Sequence, residues 1–435
     1  MLGKGIYMNF STGLRATMPC VALLAFGSVT LMQAEDDQSD NSDRPIKIAA
    51  GTRLNHMSGS EAAKAVNAAK TSGGGAARVS GGSTTFGLPV YTYSVTSSRN
   101  GSHYSGQIVG ANPAVGTQTI VPTYLIPVKL VFKYSSTTSY AFDPTGADVG
   151  CLGQNNTALS LTQGSPIFQN YPFSLTGSGD DSTQYADHFN RASFWANVTT
   201  PNQGRFHTLL SPMVEPVQTV TLTASNNYFS NATVYTASGQ CGSNTGSTNL
   251  PGYLGVVNIN TWDPIAQSLI KSLGIGTNAL PVFLFYNAVM SQGRASNLNN
   301  CCILGYHNAV GSPVQTYAVA EFEGRDQSLF TGVADVSSLA HEINEWMQDP
   351  GGTNATPAWG GVGQVSGCQN NYEVGDPLSG TLLPVATLNG FNYHLQELAF
   401  FSWFYGAPSI AANGAYSDGG TFKGAAKTCP PGGTN

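Results

Sequence analysis

The sequence predicts an α+β fold in which a β-rich N-terminal half precedes a C-terminal half that carries a functional helix. β-branched and aromatic residues alternate from Tyr91 onward, which is the pattern of strands. Helical spacing is confined to a few segments, most of them in the second half, so strands and helices are segregated along the chain. With 435 residues, 41% of them hydrophobic, the chain is long enough to bury a substantial core.

The N-terminus predicts export. Lys4 and Arg15 precede an apolar run at residues 21–32, and a small residue, Ala34, follows it. A basic start, a short apolar stretch and a small exit residue predict a signal peptide over residues 1–34, and therefore a secreted protein, extracellular or periplasmic. Residues 35–85 include a Gly-rich tract and predict a flexible leader or propeptide.

Composition and cysteines narrow the class further. Only 10% of residues are charged and the net charge is −6, which argues against a nucleic-acid partner. The absence of a second long apolar run predicts no membrane span. Six cysteines remain after the signal peptide, and an even count in an exported chain predicts disulfides. The pairing stays open, and Cys301-Cys302 could form a vicinal bridge or bind two separate partners.

Individual elements follow from periodicity. We predict strands at residues 123–134, 217–223, 231–236, 281–290 and 316–322. We predict helices at residues 184–195, 263–273, 335–347 and 394–405. Pro127 favours an edge or a bulge in the first strand, because proline lacks the N–H that an inner ladder needs. Asp335 or Ser337 would cap the third helix, which ends before Asp349-Pro350.

The third predicted helix carries the chemistry, in the segment His341-Glu342-Ile343-Asn344-Glu345. Residues i and i+4 of a helix share one face, so His341 and Glu345 can bind one ion. Glu342 lies about 100° around the helix, where it can contact a metal-bound water without binding the metal. This is the logic of H-E-x-x-H zinc sites, with Glu345 in place of the second histidine.

A catalytic zinc needs a third protein ligand and an open position. Glu373 is the first candidate for that ligand, and Asp376 is the alternative. If Asp376 does not bind the metal, it would accept a hydrogen bond from the His341 imidazole. Both lie in a segment with turn chemistry, so a purely structural role is the competing interpretation. Asp349 lies about 12 Å along the axis from His341, too far to share the ion, and is expected to close the helix or the following loop.

The motif His341-Glu342-x-x-Glu345 with a downstream Glu373 resembles the gluzincin branch of zinc metallopeptidases, although that branch usually has histidine at the position of Glu345. Residues 300–405 also resemble, more loosely, the EXORDIUM or phosphate-induced proteins and their bacterial secreted relatives. The matching pieces are Ala340 to Glu345, Asp349-Pro350, Glu373 to Asp376, Asn389-Gly390 to Trp403, Gly305-Tyr306-His307 and Tyr317-Ala318-Val319. The resemblance implies a zincin-like catalytic region within residues 86–435.

These observations together predict a metal-dependent hydrolase with one zinc ion, most simply an endopeptidase with a polypeptide substrate. Glu342 would act as general base for a metal-bound water. Candidates for stabilising the oxyanion are Tyr393, His394, Tyr372 and His307. The alternative function is a non-enzymatic extracellular, cell-surface or matrix protein with a structural metal site.

Glu321 and Glu323 offer a third interpretation. They alternate on a predicted strand, so their side chains face the same way, as the paired carboxylates of a glycosidase would. A solvated strand face is the simpler explanation of this pair.

Overall fold

One long strand, at residues 118–133, pairs with four other strands of the larger sheet. The strands are β1 (Ile46–Lys47), β2 (Val90–Thr96), β3 (His103–Val109), β4 (Gln118–Lys133), β5 (Ser139–Phe142), β6 (Tyr171–Ser174), β7 (Asp180–Thr183), β8 (His207–Val214), β9 (Gln218–Thr223), β10 (Ala232–Ala237), β11 (Gly252–Asn258), β12 (Leu280–Tyr286), β13 (Ala288–Ser291), β14 (Cys301–Ile303), β15 (Gly305–Val310), β16 (Gln315–Phe322), β17 (Ala355–Val362), β18 (Val365–Asn371), β19 (Ala386–Leu388) and β20 (Phe391–Tyr393). The helices are α1 (Val149–Leu152), α2 (Ala158–Gly164), α3 (Tyr185–Ser193), α4 (Trp195–Val198), α5 (Ile259–Ser272), α6 (Ser337–Gln348) and α7 (Phe401–Tyr405). The predicted α+β class, rich in β-structure, is confirmed.

The computed structural model describes residues 44–49, 52–54, 85–174, 180–198, 205–237, 252–324, 329–383, 385–406, 409, 411, 414–424, 426 and 429. The predicted signal peptide and most of the predicted leader lie outside these residues. Residues 44–49 and 52–54 of the leader segment are among those described, and each pairs with a later part of the chain. β1 pairs in parallel with β10, and Leu54 bridges Phe330.

Two mixed sheets form the centre of the fold. The larger has seven strands in the order β15-β16-β12-β4-β5, with β8 and β9 also pairing along β4. The second has the order β1-β10-β11-β13-β14. In the larger sheet β12 lies parallel to both β4 and β16, whereas β15 runs antiparallel to β16. The described strands also form four two-stranded ribbons, β2-β3, β6-β7, β17-β18 and β19-β20.

The larger sheet has a core on each face. On one face, Ala318 and Ala320 of β16 pack in the same apolar cluster as Leu339 and Ile343 of α6, together with residues of α3. On the other face, residues of β12 and β16 pack with Trp262 of α5 and with the second sheet. The small side chains of β16 allow α6 to approach the sheet closely, which brings the functional helix against β15 and β16.

Pro127 does not lie at an edge, so the first of the two predicted settings, edge or bulge, is wrong, but the register of β4 with its partners does shift by one residue there. It lies in the middle of β4, opposite Leu284 of β12. On the other side of β4, the pairing with β8 ends at Leu125 and the pairing with β9 begins at Val128. The missing N–H of Pro127 therefore falls at the junction between two partner strands, where an inner strand tolerates proline.

The predicted strand at residues 281–290 is two strands. Asn287 has a φ of 48° and separates β12 from β13. The two strands belong to different sheets, so the apolar run crosses from one layer to the other. An asparagine tolerates the left-handed conformation that this crossing requires.

The predicted helix at residues 394–405 was also wrong for most of its length. The helix α7 begins only at Phe401, and the preceding backbone is extended. Its N–H groups bond to other segments of the chain, as in Glu397 N–H to Thr381 O and Ala399 N–H to Val374 O. The helical spacing of the apolar residues Leu395, Leu398 and Ala399 reflects their burial in the core rather than a helix.

The other predicted helices exist as α3, α5 and α6, and the predicted strands at 217–223, 231–236 and 316–322 exist as β9, β10 and β16. The residue at the N-cap position of α6 is Val336, without a side-chain cap, so neither Asp335 nor Ser337 caps the helix as predicted. Disulfides join Cys301 to Cys302 and Cys368 to Cys429, which confirms the vicinal alternative.

Candidate metal centre

The helix α6 is buried along its whole length. All twelve of its residues, polar and apolar, are buried. Its apolar side chains pack on the sheet, and Trp346 donates from Nε1 to Thr316 Oγ1 at 2.9 Å, which fixes the rotation of the helix against β16. Because the helix is fixed in this way, His341 and Glu345 point into the protein interior, where a charged group needs a partner.

His341 and Glu345 share one face, as predicted. His341 Nε2 lies 3.1 Å from Glu345 Oε2. The other nitrogen, Nδ1, lies 3.1 Å from Gln396 Oε1, and the amide of Gln396 donates to Gly375 O at 2.8 Å. Gly375 packs under the imidazole, since a Cβ at this position would lie 2.4 Å from His341 Nδ1. With Nδ1 facing the Gln396 oxygen, the imidazole presents Nε2 to the cluster.

Asp376, rather than Glu373, lies beside this pair. Asp376 Oδ1 is 3.7 Å from His341 Nε2, and the groups of His341, Glu345 and Asp376 that could bind a metal lie within 4.8 Å of one another. The backbone N–H groups of Gly375 and Asp376 donate to Glu345 Oε1 at 3.1 and 3.2 Å. Gln364 and Gln369 donate to the two oxygens of Asp376, which holds that carboxylate in place.

Glu373 lies on the opposite side of the cluster, against His307. Glu373 Oε2 is 3.9 Å from His307 Nε2, and Asn371 donates to Glu373 Oε1 at 2.7 Å. Glu373 is therefore in the same buried group of carboxylates but not within the set that His341 forms with Glu345 and Asp376.

His307 comes from the sheet. It lies on β15 opposite Ala318 and faces α6, as does Gly305 two residues earlier. Its Nδ1 is 3.4 Å from Glu342 Oε2 and 3.9 Å from Glu345 Oε2. The sequence alone predicts a role for His307 only in stabilising the oxyanion. Gly305 and His307 lie two residues apart, so if this segment is a strand, the sequence indicates that they face the same side of a sheet. It does not indicate which helix His307 faces.

Glu342 lies where the buried cluster meets the surface. Its Oε1 is 4.0 Å from His341 Nε2, and its Oε2 faces His307. Glu342 and His341 both line a small cleft, whereas Glu345 and Asp376 lie beneath it with no exposed surface. A molecule in the cleft would therefore meet Glu342 and His341 first. The cleft is lined by Leu304, Gly305, Val333, Ser337, Ser338, His341, Glu342, Gln364, Ser379, Gly380 and Gln396.

Burial dominates the electrostatics of the cluster. It raises the pKa of Glu342 to about 8, and the neighbouring His341 lowers it only in part. Burial also raises the pKa values of Glu345 and Glu373 well above their usual range, and neighbouring carboxylates add to this effect. Burial lowers the pKa of His307 to about 4, so this imidazole is neutral at pH 7 and free to act as a ligand.

Three buried atoms of the cluster make no hydrogen bond, although the first two lie 3.1 Å apart: His341 Nε2, Glu345 Oε2 and Glu373 Oε2. Leaving such atoms unpaired costs several kcal/mol in total, at about 1–3 kcal/mol each. Imidazole nitrogen and carboxylate oxygen are ligand atoms for zinc and similar divalent ions. Among the described residues, two groups of side chains could hold a metal ion: His341, Glu345 and Asp376, and His307, Glu342 and Glu345. The residues therefore fit a divalent cation.

The remaining predicted site residues lie elsewhere. His394 pairs with Asp335, with Nδ1 2.6 Å from Oδ2. Tyr393 is buried, and Tyr372 donates its hydroxyl to Gln348 Oε1. Tyr372, Tyr393 and His394 are not among the described residues that line the cleft. Asp349 closes α6 as expected, because its carboxylate accepts the N–H groups of Thr353 and Asn354.

Glu321 and Glu323 do not form a solvated face. Both are buried, with exposures of 0% and 1%. Glu321 lies on β16, an inner strand covered on both faces, and Glu323 follows the end of that strand and bridges Asp335. Burial and the neighbouring Glu323 carboxylate raise the pKa of Glu321 well above its usual range.

Searches of protein-family models, curated proteins and solved structures found no match for this chain. Within the described residues, none of the helices combines the length and the apolar character that crossing a bilayer would require.

Proposed function

We propose that this chain is a secreted, zinc-dependent endopeptidase of the zincin type, with its centre on α6. The observation that carries the proposal is the convergence of unpartnered, buried ligand atoms from His341 and Glu345 beside Asp376. A structural salt bridge would satisfy its own atoms with hydrogen bonds, whereas a metal site leaves them directed at one point.

His341, Glu345 and Asp376 would hold the ion. A bound Zn²⁺ would supply a Lewis acid for the scissile carbonyl and lower the pKa of a coordinated water. The set of one imidazole and two carboxylates is more anionic than a two-histidine set, and Glu345 is held by backbone N–H groups that offset part of its charge.

Glu342 is the proposed general base. It borders the cleft, and its Oε1 faces the His341 side of the cluster, so it can take a proton there and return it to the leaving amine. Burial raises its pKa to about 8, which supports a proton-transfer role near neutral pH. Donors for the oxyanion come from the residues that line the cleft, of which Ser338 is the first choice because it lies one turn before Glu342 on α6.

Metal analysis of the purified full-length chain, combined with casein digestion with and without a chelator, tests the proposal. We expect bound zinc, proteolysis that the chelator abolishes, and recovery on adding Zn²⁺. Glu342→Gln should still bind Zn²⁺ but lose proteolysis by at least 100-fold, in line with the loss of a general base. Glu215→Gln, a matched change outside the cluster, should keep full activity.

Two results would contradict the proposal in different ways. Full proteolysis by Glu342→Gln would remove this residue from the mechanism. Tight zinc binding without proteolysis in the wild type would instead favour the non-enzymatic alternative, in which the ion braces α6 against the sheet.

A further inference from the structure

A second imidazole faces the same cluster from the other side. His307 on β15 and His341 on α6 approach the same oxygen, Glu345 Oε2, at 3.9 and 3.1 Å. The other oxygen of Glu345 is occupied by two backbone N–H groups, whereas Oε2 has no hydrogen-bond partner. One unpartnered oxygen therefore lies between two potential ligand sets.

The two sets are distinct but share one residue. His341 groups with Glu345 and Asp376, and His307 groups with Glu342 and Glu345, so that only Glu345 belongs to both. Ligand atoms around a single tetrahedral zinc lie roughly 3.3–3.6 Å apart, given bond lengths of about 2.0–2.2 Å. Each set has contacts near this range, at 3.1 and 3.7 Å in the first and 3.4 and 3.9 Å in the second.

Formal charge favours two cations over one. The cluster contains the carboxylates of Glu342, Glu345, Glu373 and Asp376, all buried. Within the described part of the chain, every ion-pair contact of the three glutamates is with an imidazole. As metal ligands these carboxylates would be ionised, and one divalent ion would then offset half of the charge of the four, whereas two would offset all of it. The difference matters because an uncompensated buried charge is costly.

From this geometry we propose that the site is a two-cation centre, with Glu345 Oε2 as the bridging atom. The first ion lies at His341, Glu345 and Asp376, and the second at His307, Glu342 and Glu345. Paired catalytic ions typically lie about 3.5–4 Å apart, a separation that a shared carboxylate supports. The inference rests on the proposed function for the first ion and adds the second.

The surroundings of His307 fit a ligand. When Nδ1 binds the second ion, Nε2 faces Glu373 Oε2, a buried oxygen without a hydrogen-bond partner. A carboxylate behind a ligating histidine orients the ring and increases its basicity. Glu342 would bind the second ion through Oε2 and keep Oε1 on the His341 side for proton transfer.

The test measures zinc stoichiometry on the full-length chain. The protein is stripped with chelator, equilibrated with Zn²⁺ by dialysis, and analysed for metal per chain by atomic emission. We expect two ions in the wild type and one in His307→Ala. His103→Gln, a change at an exposed histidine on β3, should retain two.

The outcomes separate this inference from the proposed function. One ion in the wild type overturns the second site and leaves the first. No bound ion overturns both. Two ions in both the wild type and His307→Ala would locate the second ion elsewhere and also overturn the inference.

A second measurement covers the case in which His307→Ala does not fold. In the wild type loaded with Co²⁺, ions that share the Glu345 oxygen should be magnetically coupled and lose most of their electron paramagnetic resonance intensity. Two Co²⁺ ions with independent, full-intensity signals would contradict the bridged centre.

Discussion

Gly375→Ala is expected to weaken metal binding by acting on His341 without changing any ligand. A methyl group at this position would lie 2.4 Å from His341 Nδ1 and within 2.7 Å of two ring carbons. An ordinary contact needs at least 3.4 Å, so either the ring or the backbone must shift by about 1 Å. If the ring shifts, Nε2 leaves its position beside Glu345. If the backbone shifts, Glu345 Oε1 loses its N–H donor from Gly375.

Either response should lower zinc affinity by 10- to 100-fold, the range typical when the support of a ligand is removed. This corresponds to about 1.4–2.8 kcal/mol. The assay is competition with a chromophoric chelator, in which the zinc dissociation constant is compared between variants. Gly424→Ala is the matched control, because a Cβ there has no atom within 4 Å.

Thermal unfolding of the metal-free proteins separates a local effect from a loss of fold. The metal-free Gly375→Ala protein should unfold cooperatively, so that its weaker zinc binding reflects the site itself. A Gly375→Ala variant that binds zinc as tightly as the Gly424→Ala control would refute the position of His341 over Gly375, and with it the assignment of His341 as a ligand.

Two further changes test the surroundings of the site and the buried acid on β16. Gln396→Met removes the acceptor for His341 Nδ1 and the donor to Gly375 O, so zinc affinity should again fall 10- to 100-fold. Gln396→Glu keeps the acceptor, and in the same chelator assay it should lose less affinity than Gln396→Met. Glu321→Gln should stabilise the protein relative to the wild type, and the difference should grow as pH rises. Because burial raises the pKa of Glu321 in the folded state, the wild type loses stability from about pH 4.3 upward, by up to about 1.4 kcal/mol per pH unit. The glutamine variant has no such carboxyl group and does not show this loss. Melting temperatures of both proteins at pH 4 and pH 8 check this, and an equal difference at the two pH values would show that Glu321 is not the titrating group.

The sequence was informative where one element carries its own pattern. The apolar spacing around His341 predicted both α6 and the shared face of His341 and Glu345, because that relation is fixed by the helix alone. Asp349 could likewise be assigned to the end of α6, since its distance from His341 follows from the rise per residue.

The sequence was misleading where tertiary packing decides the outcome. Residues 394–400 have apolar spacing that suits a helix, yet their N–H groups bond to residues such as Thr381 and Val374, far away in the chain. Glu321 and Glu323 have the alternation of a solvated strand, but both are buried, and β16, which carries Glu321, is covered on both faces. Burial of this kind depends on which strand occupies the middle of the sheet, and no local pattern specifies it.

Because tertiary packing cannot be predicted from a local pattern, the helical motif predicts only the part of the candidate site that the helix itself carries. A zinc helix normally supplies two imidazoles, and this one supplies His341 and a carboxylate, Glu345. The second imidazole, His307, comes from β15, and it meets the helix only because Ala318 and Ala320 of the neighbouring strand are small and Gly305 leaves room for Glu342. Replacing a helical histidine by glutamate adds negative charge to a buried site, and a site built in this way needs more positive charge than a two-histidine helix does. The buried carboxylates therefore need additional positive charge, and the extra imidazole, His307, supplies a ligand for it. Both features are explained if a second cation binds between β15 and α6.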